Sequence, residues 1–330
     1  MFEKENLLRA ITRNGPDHVP VRRLDGSIPG MVRIIYRDSR ALLRGTDRWG
    51  VTWAGGVAAA SEWDAEIQGY PVDHPLKDLS RLEAYPFPDP NEPGIMDGLM
   101  DGVDREQVLV TGEICFPVQD RAHLLMGLDN FCMAALDQPE QVRALLRRIA
   151  DYQIGIVRRY LEMGADIIRG LDDYGGQQAL LLGPRLWRRL IKPELARIIE
   201  AAKACPEPGR RDGGAFFWLH SCGRVMEIIP DLIEIGVDIL DPVQVRANDQ
   251  AEAKRLYGDK ICFMGGIDTQ HLLTEGTPEE ITVAVQERIR MLAPGGGYIL
   301  APDTLLPVPQ ANYQAYLEAG ARHGRYPVQA

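Results

Sequence analysis

Short apolar runs alternate with longer amphipathic stretches through the last two-thirds of the chain, and this alternation limits the possible folds most strongly. Six runs have the length and composition of buried strands: residues 108–113, 166–173, 215–220, 237–242, 261–266 and 298–302. Six other stretches have the apolar spacing of helices: residues 138–163, 184–204, 223–235, 249–257, 278–292 and 309–322. Strands and helices that alternate in this way form right-handed βαβ units around a parallel sheet.

The number of these units favours a closed barrel. With residues 19–24 (VPVRRL) as a first strand, the count approaches the eight of a (β/α)8 barrel. We therefore predict an α/β fold of the (β/α)8 TIM-barrel type in a single domain, residues 1–330, with an open doubly wound sheet as the alternative. The Rossmann fingerprint G-x-G-x-x-G follows no strand, and PGGGY at 294–298 precedes one, so it is typical of a turn.

Three segments depart from the alternation. The first fifteen residues, MFEKENLLRAITRNG, predict a short amphipathic helix as an N-terminal extension. Residues 45–105 contain several prolines and few long apolar runs, which predicts a loop-rich, hairpin-bearing insertion near the barrel mouth, with linker composition at 85–94. Residues 206–214, PEPGRRDGG, predict a flexible loop before the following strand.

Charge and cysteine content exclude some classes of protein. The formal net charge of −10 leaves no basic surplus for binding nucleic acid phosphates. An odd number of cysteines, five, does not indicate a disulfide framework, and a reducing cytoplasm is the simpler location. The N-terminus has no apolar core of a secretory signal, and no apolar run approaches the roughly 20 residues that span a bilayer. We expect a soluble, cytoplasmic protein that binds neither nucleic acid nor membrane.

Ionisable side chains follow the predicted strands at their carboxyl ends. They are Glu113, Asp172, Asp173, His220, Asp241, Asp268 and Asp303. In a barrel these ends converge on the face that carries the active site, where crowded carboxylates shift one another's pKa. We assign catalytic roles to Asp172, Asp173 and Glu113. The alternative for each aspartate is that it caps the following helix.

His220 and Cys222 lie two residues apart in WLHSCGRV, and alternation along the strand points both the same way. An imidazole and a thiolate at this spacing suit Zn²⁺, which keeps one coordination position open in catalytic sites. Two ligands do not complete such a site. The alternative is a buried cysteine beside a hydrogen-bonded histidine.

Several ordered motifs resemble the uroporphyrinogen decarboxylase superfamily. They are GEICFP-x-QDRAHLLMGLDNF-x-M (112–133), LDDYGGQQALLLGPRLWRRLIKP (171–193), HSCGRVMEIIPDLIEIGVDILDPVQ (220–244), FMGGIDTQHLLTEGTPEEI (263–281) and GGYILAP (296–302). The resemblance covers roughly residues 105–325 and implies a (β/α)8 barrel. It also implies one of two activities: cofactor-free decarboxylation of a tetrapyrrole, or methyl transfer involving a corrinoid with zinc held by a His-x-Cys pair and a later cysteine.

The resemblance favours the methyltransferase branch, because His220 and Cys222 match its His-x-Cys pair and decarboxylases generally lack that cysteine. In addition, residues 19–33 do not match the decarboxylase pattern R-Q-A-G-R-Y. The chain departs from both branches after the last strand, where Asp303-Thr304 stands in place of a Gly-Cys or Gly-His pair. We predict Asp303 as the third metal ligand, with Glu113, Asp172 and Asp173 as other oxygen donors.

The function predicted from the sequence is zinc-assisted transfer of a methyl group between a small O-, N- or S-methyl compound and a corrinoid carried by a partner protein. A homodimer is plausible for the superfamily. One alternative is a metal-free decarboxylase or lyase with Asp172 or Asp173 as general acid. The other is a non-catalytic barrel that has lost its third ligand, which Thr304 supports.

Four residues are assigned to substrate binding. Gln177 and Gln244 lie in the resembling motifs, and Asp268 follows a glycine pair at a strand end. Trp49, with Trp53 nearby, could stack on a planar substrate or pin its loop to the barrel.

Overall fold

A parallel sheet of seven strands forms the centre of the computed structural model, which describes residues 2–37, 44–55, 69–204 and 214–328. The described residues form ten strands, of which three (β2, β3 and β4) make a separate small sheet: β1 (Met31–Ile35), β2 (Gly45–Thr46), β3 (Thr52–Ala54), β4 (Tyr70–Asp73), β5 (Leu109–Cys115), β6 (Ile167–Leu171), β7 (Phe216–His220), β8 (Ile239–Asp241), β9 (Cys262–Ile267) and β10 (Tyr298–Pro302). The spatial order β1-β5-β6-β7-β8-β9-β10 follows the chain, as in a TIM barrel.

Ten helices accompany these strands in the described parts of the chain. They are α1 (Glu3–Thr12), α2 (Gln119–Met126), α3 (Leu128–Asp137), α4 (Pro139–Glu162), α5 (Gly183–Leu186), α6 (Lys192–Lys203), α7 (Ile229–Glu234), α8 (Gln250–Tyr257), α9 (Pro278–Leu292) and α10 (Gln310–His323). Short 3-10 turns occur at Leu79–Ala84 and Met226–Ile228, and π-helical turns at Trp187–Ile191 and Thr269–Leu273. The predicted α/β barrel architecture is confirmed.

The eighth position of the barrel is not occupied by a regular strand. Residues 19–24 were expected to form one, but only Val21 forms a parallel bridge, to Leu300. Pro20 has no N–H to donate, and the chain turns back where Gly26 donates to the carbonyl of Arg23. The prediction of a strand at 19–24 is therefore wrong, and β1, which pairs in parallel with β5, is the strand that was missed.

Helix α1 closes the amino end of the barrel. Its Leu7 and Ile11 belong to the apolar cluster inside the barrel, together with Phe216, Cys262 and Ile299 at the beginning of their strands. A second, larger apolar layer separates the sheet from the outer helices. The carboxyl ends of the strands are left for polar side chains.

Residues 45–105 carry a small antiparallel sheet of β2, β3 and β4, as expected for a hairpin-bearing insertion. Asp47 organises its turn by accepting hydrogen bonds from the backbone N–H groups of Trp49 (2.8 Å) and Val51 (3.0 Å) and from the indole of Trp53 (2.9 Å). The insertion joins the barrel where Leu76 donates to the carbonyl of Leu125 at the end of α2.

Two predicted features fall wholly or largely outside the described residues. The loop predicted at 206–214 is described only at Gly214, and Cys205 is not described. Among the helices that the structure does describe, none combines the length and apolar character needed to cross a bilayer.

Candidate metal centre at the carboxyl end of the barrel

Three donor side chains meet at the carboxyl ends of two neighbouring strands. One donor atom each from Asp173, His220 and Cys222 lies within 4.8 Å of the others. His220 Nε2 is 3.4 Å from Cys222 Sγ and 3.8 Å from Asp173 Oδ1. The parallel register explains this meeting, because Leu171 at the end of β6 pairs with His220 at the end of β7.

Backbone contacts fix the two loops that carry these donors. The N–H of Cys222 donates to Asp173 Oδ1 at 2.7 Å. Gly223 adopts a φ of +75°, and a Cβ there would lie 2.2 Å from the carbonyl oxygen of Gly175. Only glycine therefore lets the two loops approach so closely. The side chain of Gln244, which was assigned to substrate binding, accepts the N–H of Gly223 at 3.0 Å and supports the same loop.

The other imidazole nitrogen of His220 faces a buried carboxylate. His220 Nδ1 lies 3.0 Å from Asp241 Oδ2. Burial disfavours the imidazolium, but the charges of Asp241 and Cys222 and their hydrogen bonds raise the pKa of His220 well above its ordinary value. Burial likewise opposes ionisation of Asp241, yet His220, Arg169 and Arg22 lower its pKa to about 2. Asp241 is therefore ionised at neutral pH.

Unlike Asp241, the thiol of Cys222 is stabilised in its neutral, protonated form. Burial raises its pKa above the ordinary value, and His220 only partly offsets this effect. A bound metal ion would reverse that balance, since coordination deprotonates a thiol.

Asp120, which sequence reasoning did not single out, adjoins the donors. Its Oδ2 accepts the N–H of Asp173 at 2.8 Å, and its Oδ1 lies 3.5 Å from His123 Nδ1. Burial, together with the charge of Asp173, raises the pKa of Asp120 to about 8. The only signal in the sequence was its place in the resembling QDRAH motif.

Asp172 does not face the site, although it precedes Asp173. Its carboxylate is fully buried and accepts the N–H groups of Val118, Gln119 and Asp120 at 3.2, 2.9 and 2.7 Å. These are the first N–H groups of α2, which have no partner within the helix. Asp172 thus caps α2, an earlier helix in the chain and not the following helix that the alternative named, and its carboxylate faces away from the donors.

Glu113 lies inside the barrel, below the donor residues. Arg169 donates to its Oε2 at 2.6 Å, and Arg33 approaches the same oxygen at 3.3 Å. The guanidinium of Arg169 in turn stacks on the ring of Trp218 at 4.4 Å. Glu113 is thus a partner of buried arginines and is not part of the donor cluster.

Asp303 is also outside the donor cluster, contrary to its assignment as third ligand. Its Oδ2 accepts the N–H of Val245 at 3.0 Å, which ties β10 to the loop after β8. Burial raises the pKa of Asp303 to about 8, so its carboxyl group is largely protonated at neutral pH. The carboxylate that lies within 4.8 Å of the His220 and Cys222 donor atoms is that of Asp173.

The remaining residues assigned to substrate binding take structural positions. Asp268 accepts the N–H of His271 at 3.2 Å and lies 3.6 Å from Arg246. Gln177 is exposed and donates to the carbonyl of Arg246 at 3.1 Å, so it links two rim loops.

Trp49 is only 1% exposed and lies in the core, not on a binding surface. The Trp49 ring packs edge-on against the Tyr152 ring, with 4.8 Å between the ring centroids, and the guanidinium of Arg121 lies over the Trp49 ring, 4.5 Å from its centroid. The assignment of Trp49 to substrate binding is therefore wrong, because the indole pins the insertion to the barrel.

The fold and the site together define a class of protein. It is a barrel whose mouth carries one nitrogen, one sulfur and one oxygen donor side chain. Residues 65–323 match the family model of uroporphyrinogen decarboxylase (URO-D). The chain belongs to the URO-D family.

Relatives within this family have two kinds of activity. The chain is 25% identical over 186 residues to the methylcobamide:CoM methyltransferase MtaA of Methanosarcina barkeri, a match that covers 55% of this chain and 50% of that protein. It is 26% identical over 164 residues to a uroporphyrinogen decarboxylase of Coxiella burnetii, covering 49% and 41% of the two chains. The chain thus matches about half the length of these relatives.

A solved structure supports the same fold. A methyltransferase from Methanosarcina mazei superimposes with a TM-score of 0.72 and covers 98% of this chain and 99% of that chain, at 19% sequence identity.

Proposed function

We propose that this protein is a methyltransferase that moves a methyl group between a small O-, N- or S-methyl compound and a corrinoid, with zinc at Asp173, His220 and Cys222. The observation that carries the proposal is the meeting of these three donors within 4.8 Å at the barrel mouth. Similarity to a methylcobamide:CoM methyltransferase supports the reaction class.

The donor set fits a catalytic zinc ion. Zinc takes imidazole, thiolate and carboxylate donors, and catalytic sites use three protein ligands with a fourth position open. Ionised Asp241 can only accept a hydrogen bond and so keeps a proton on Nδ1 of His220. The raised pKa of His220 keeps a second proton on Nε2 in the metal-free protein, and a binding zinc ion would displace it. The lone pair of Nε2 is then directed towards Cys222 and Asp173.

Bound zinc would act as a Lewis acid on the heteroatom that loses its methyl group. The protein's own residues arrange the rest. The N–H of Cys222 orients Asp173, and Asp241 orients His220. Burial raises the pKa of Asp120 to about 8 in the metal-free protein, and Asp120 adjoins Asp173, so we propose it as the acid that protonates the heteroatom after the methyl group has left.

A corrinoid held by a separate protein is the methyl acceptor in this proposal. Such a partner would dock at the barrel mouth, because the donors lie at the carboxyl ends of β6 and β7. The small methyl donor would enter from the same face.

A metal-free decarboxylase is the second candidate. It is supported by similarity to a uroporphyrinogen decarboxylase and by the partly exposed guanidinium of Arg33, which lies 3.3 Å from Glu113 in the barrel interior. Such a group suits a substrate that carries carboxylates. The cysteine beside His220 has no role in that reaction, and this ranks the decarboxylase second.

Metal content decides between the two candidates. The protein is purified without chelator and its zinc is measured beside Cys222→Ser and the matched control Cys132→Ser, a half-buried cysteine on α3. We expect near-stoichiometric zinc in the wild type and the control, and its loss in Cys222→Ser. Methyl transfer from a panel of methoxy, methylamine and methylthiol compounds to reduced cobalamin should follow zinc content. A wild-type protein that neither contains nor takes up zinc would contradict the proposal.

A further inference from the structure

Asp241, Trp218 and Arg22 form a buried group behind His220, here called the Asp241 support. The indole Nε1 of Trp218 donates to Asp241 Oδ1 at 2.6 Å, and Arg22 Nη1 lies 3.8 Å from Asp241 Oδ2. All three side chains are 2% exposed or less. We propose that this support sets the metal affinity of the site by holding His220 in one orientation and one tautomer; the inference rests on the proposed function.

The first step of the argument concerns the two nitrogens of His220. Both Nδ1 and Nε2 are within reach of a partner, Asp241 at 3.0 Å and Cys222 at 3.4 Å. A neutral imidazole carries its proton on one nitrogen only, and the acceptor at the other side decides which. Asp241 takes that role and holds the proton on Nδ1, so a binding metal ion displaces the proton on Nε2 and needs no change of rotamer.

The second step concerns what holds Asp241. A carboxylate that could rotate would leave the imidazole free to rotate with it. Here one oxygen is bonded to Trp218 and the other faces both His220 and Arg22. Each oxygen therefore has a fixed direction, and the imidazole plane is fixed through it.

The third step concerns the neighbours of the support. Arg169 stacks on the ring of Trp218 at 4.4 Å and donates to Glu113 at 2.6 Å. The strand register lines up Glu113 with Arg169, and Arg169 with Trp218, across β5, β6 and β7. Arg22 thus offsets the negative charge of Asp241, and Arg169 offsets that of Glu113. This balance allows an ionised carboxylate to persist at 1% exposure.

The role assigned to Asp241 is one of positioning, since it contacts the ligand and not the metal. Replacing such an outer carboxylate typically weakens metal binding about 10- to 100-fold. Asp241→Asn keeps the shape but removes the charge that fixes the tautomer. Trp218→Phe keeps all charges and the ring beneath Arg169 but removes the N–H that orients Asp241. Asp259→Asn, on the exposed surface, is the matched control for the loss of one carboxylate.

The test measures zinc affinity by competition with a chromophoric chelator, and the absorption spectrum of the cobalt(II)-substituted proteins. We expect zinc affinity about 10- to 100-fold weaker in Asp241→Asn, an intermediate loss in Trp218→Phe and no change in Asp259→Asn. The thiolate-to-cobalt band should persist in all of them, because Cys222 is intact, while the ligand-field bands change in the first two. Asp241→Glu, which restores the charge, should recover part of the affinity.

The outcomes separate this inference from the proposed function. Absence of zinc and cobalt binding in the wild type would overturn both. Tight binding in the wild type with equal affinity in Asp241→Asn would overturn the inference and leave the proposed function standing. Should Asp241→Asn fail to fold, Trp218→Phe decides: weakened binding supports the inference, and unchanged binding overturns it.

Discussion

The carboxyl groups of Asp241, at the end of β8, and Asp303, just after β10, hold different protonation states because their surroundings differ. Asp241 faces His220, Arg169 and Arg22, which together outweigh burial and lower its pKa to about 2. Asp303 is similarly buried but has only backbone N–H donors and the distant Arg288 against the nearby charge of Asp268, so burial raises its pKa to about 8. The same residue type therefore serves as a fixed anion in one place and as a neutral group in the other.

This difference predicts how Asp303 affects stability as the pH changes. An unfolded aspartate ionises near 3.8, whereas folded Asp303 ionises near 8, so the unfolded chain releases its proton first. The contribution of Asp303 to the free energy of unfolding therefore falls as the pH rises between these two values and is constant above them. The variant Asp303→Asn has no ionisable group at this position and therefore lacks this pH-dependent contribution to the free energy of unfolding. Its stability relative to the wild type should improve between about pH 5 and about pH 9.

Urea unfolding at both pH values measures the effect, with Asp259→Asn as the control for loss of a surface carboxylate. Parallel pH profiles for Asp303→Asn and the wild type would show that Asp303 is ionised in the folded protein.

Single-residue roles were only partly predictable from the sequence. Strand-end position correctly brought Asp173, His220 and Cys222 to one face, because parallel strands end together. It did not separate Asp172 from Asp173. The course of the loop after β6 turns one side chain to the N-terminus of α2 and the other to His220, and no local pattern encodes that course.

Among the elements, the small sheet of β2, β3 and β4 depends on one aspartate. Asp47 accepts three hydrogen bonds, from Trp49, Val51 and Trp53, and lies 3.9 Å from Arg121 of α2. Asp47→Ala would leave these donors without an acceptor. Each unsatisfied buried donor costs about 1–3 kcal/mol.

We expect Asp47→Ala to lower the free energy of unfolding by about 3 kcal/mol and to expose residues 45–105 to proteases before the barrel unfolds. Limited proteolysis with mass spectrometry, together with urea unfolding, measures both effects. Asp73→Ala, whose carboxylate is exposed and pairs with Lys77, is the control. Equal cleavage of both variants would contradict the role of Asp47.

Element boundaries followed from apolar periodicity where one face is buried. Helix α9 begins and ends as predicted, with a capping box at Thr277 and Glu280. Helices α2 and α3 were missed. In α3 the apolar side chains Leu128, Met133 and Leu136 are exposed, so apolar residues occur on the solvent face as well as on the buried face. The sequence therefore lacks the one-sided apolar periodicity that indicates an amphipathic helix.

At the scale of the whole molecule, stability and chemistry occupy opposite ends of the barrel. Leu7 of α1 is 1% exposed and fills the amino end, while the donors lie at the carboxyl end. Leu7→Ala should therefore lower the free energy of unfolding by about 2–5 kcal/mol, through lost burial and the remaining cavity. Zinc affinity of the folded protein should not change.

Urea unfolding and zinc titration of the same preparation test this separation, with Cys222→Ser as the opposite case that loses zinc but retains its apolar core. A folded Leu7→Ala protein with weakened zinc binding would show that the two ends are coupled.

The three donors come from only two adjacent strands, β6 and β7, and the residue behind His220 comes from the next one, β8. The reactive chemistry is thus confined to one arc of the rim, and the loops after β9 and β10 form a separate arc. A directed-evolution library restricted to the exposed residues of this second arc, Gln270, His271, Leu306, Pro307 and Pro309, would vary the rim while leaving the donors and the buried Thr269 and Leu273 intact. The rim is in this sense divided into an arc that carries the donors and an arc whose exposed residues can change, which suits the barrel for redesign towards new ligands.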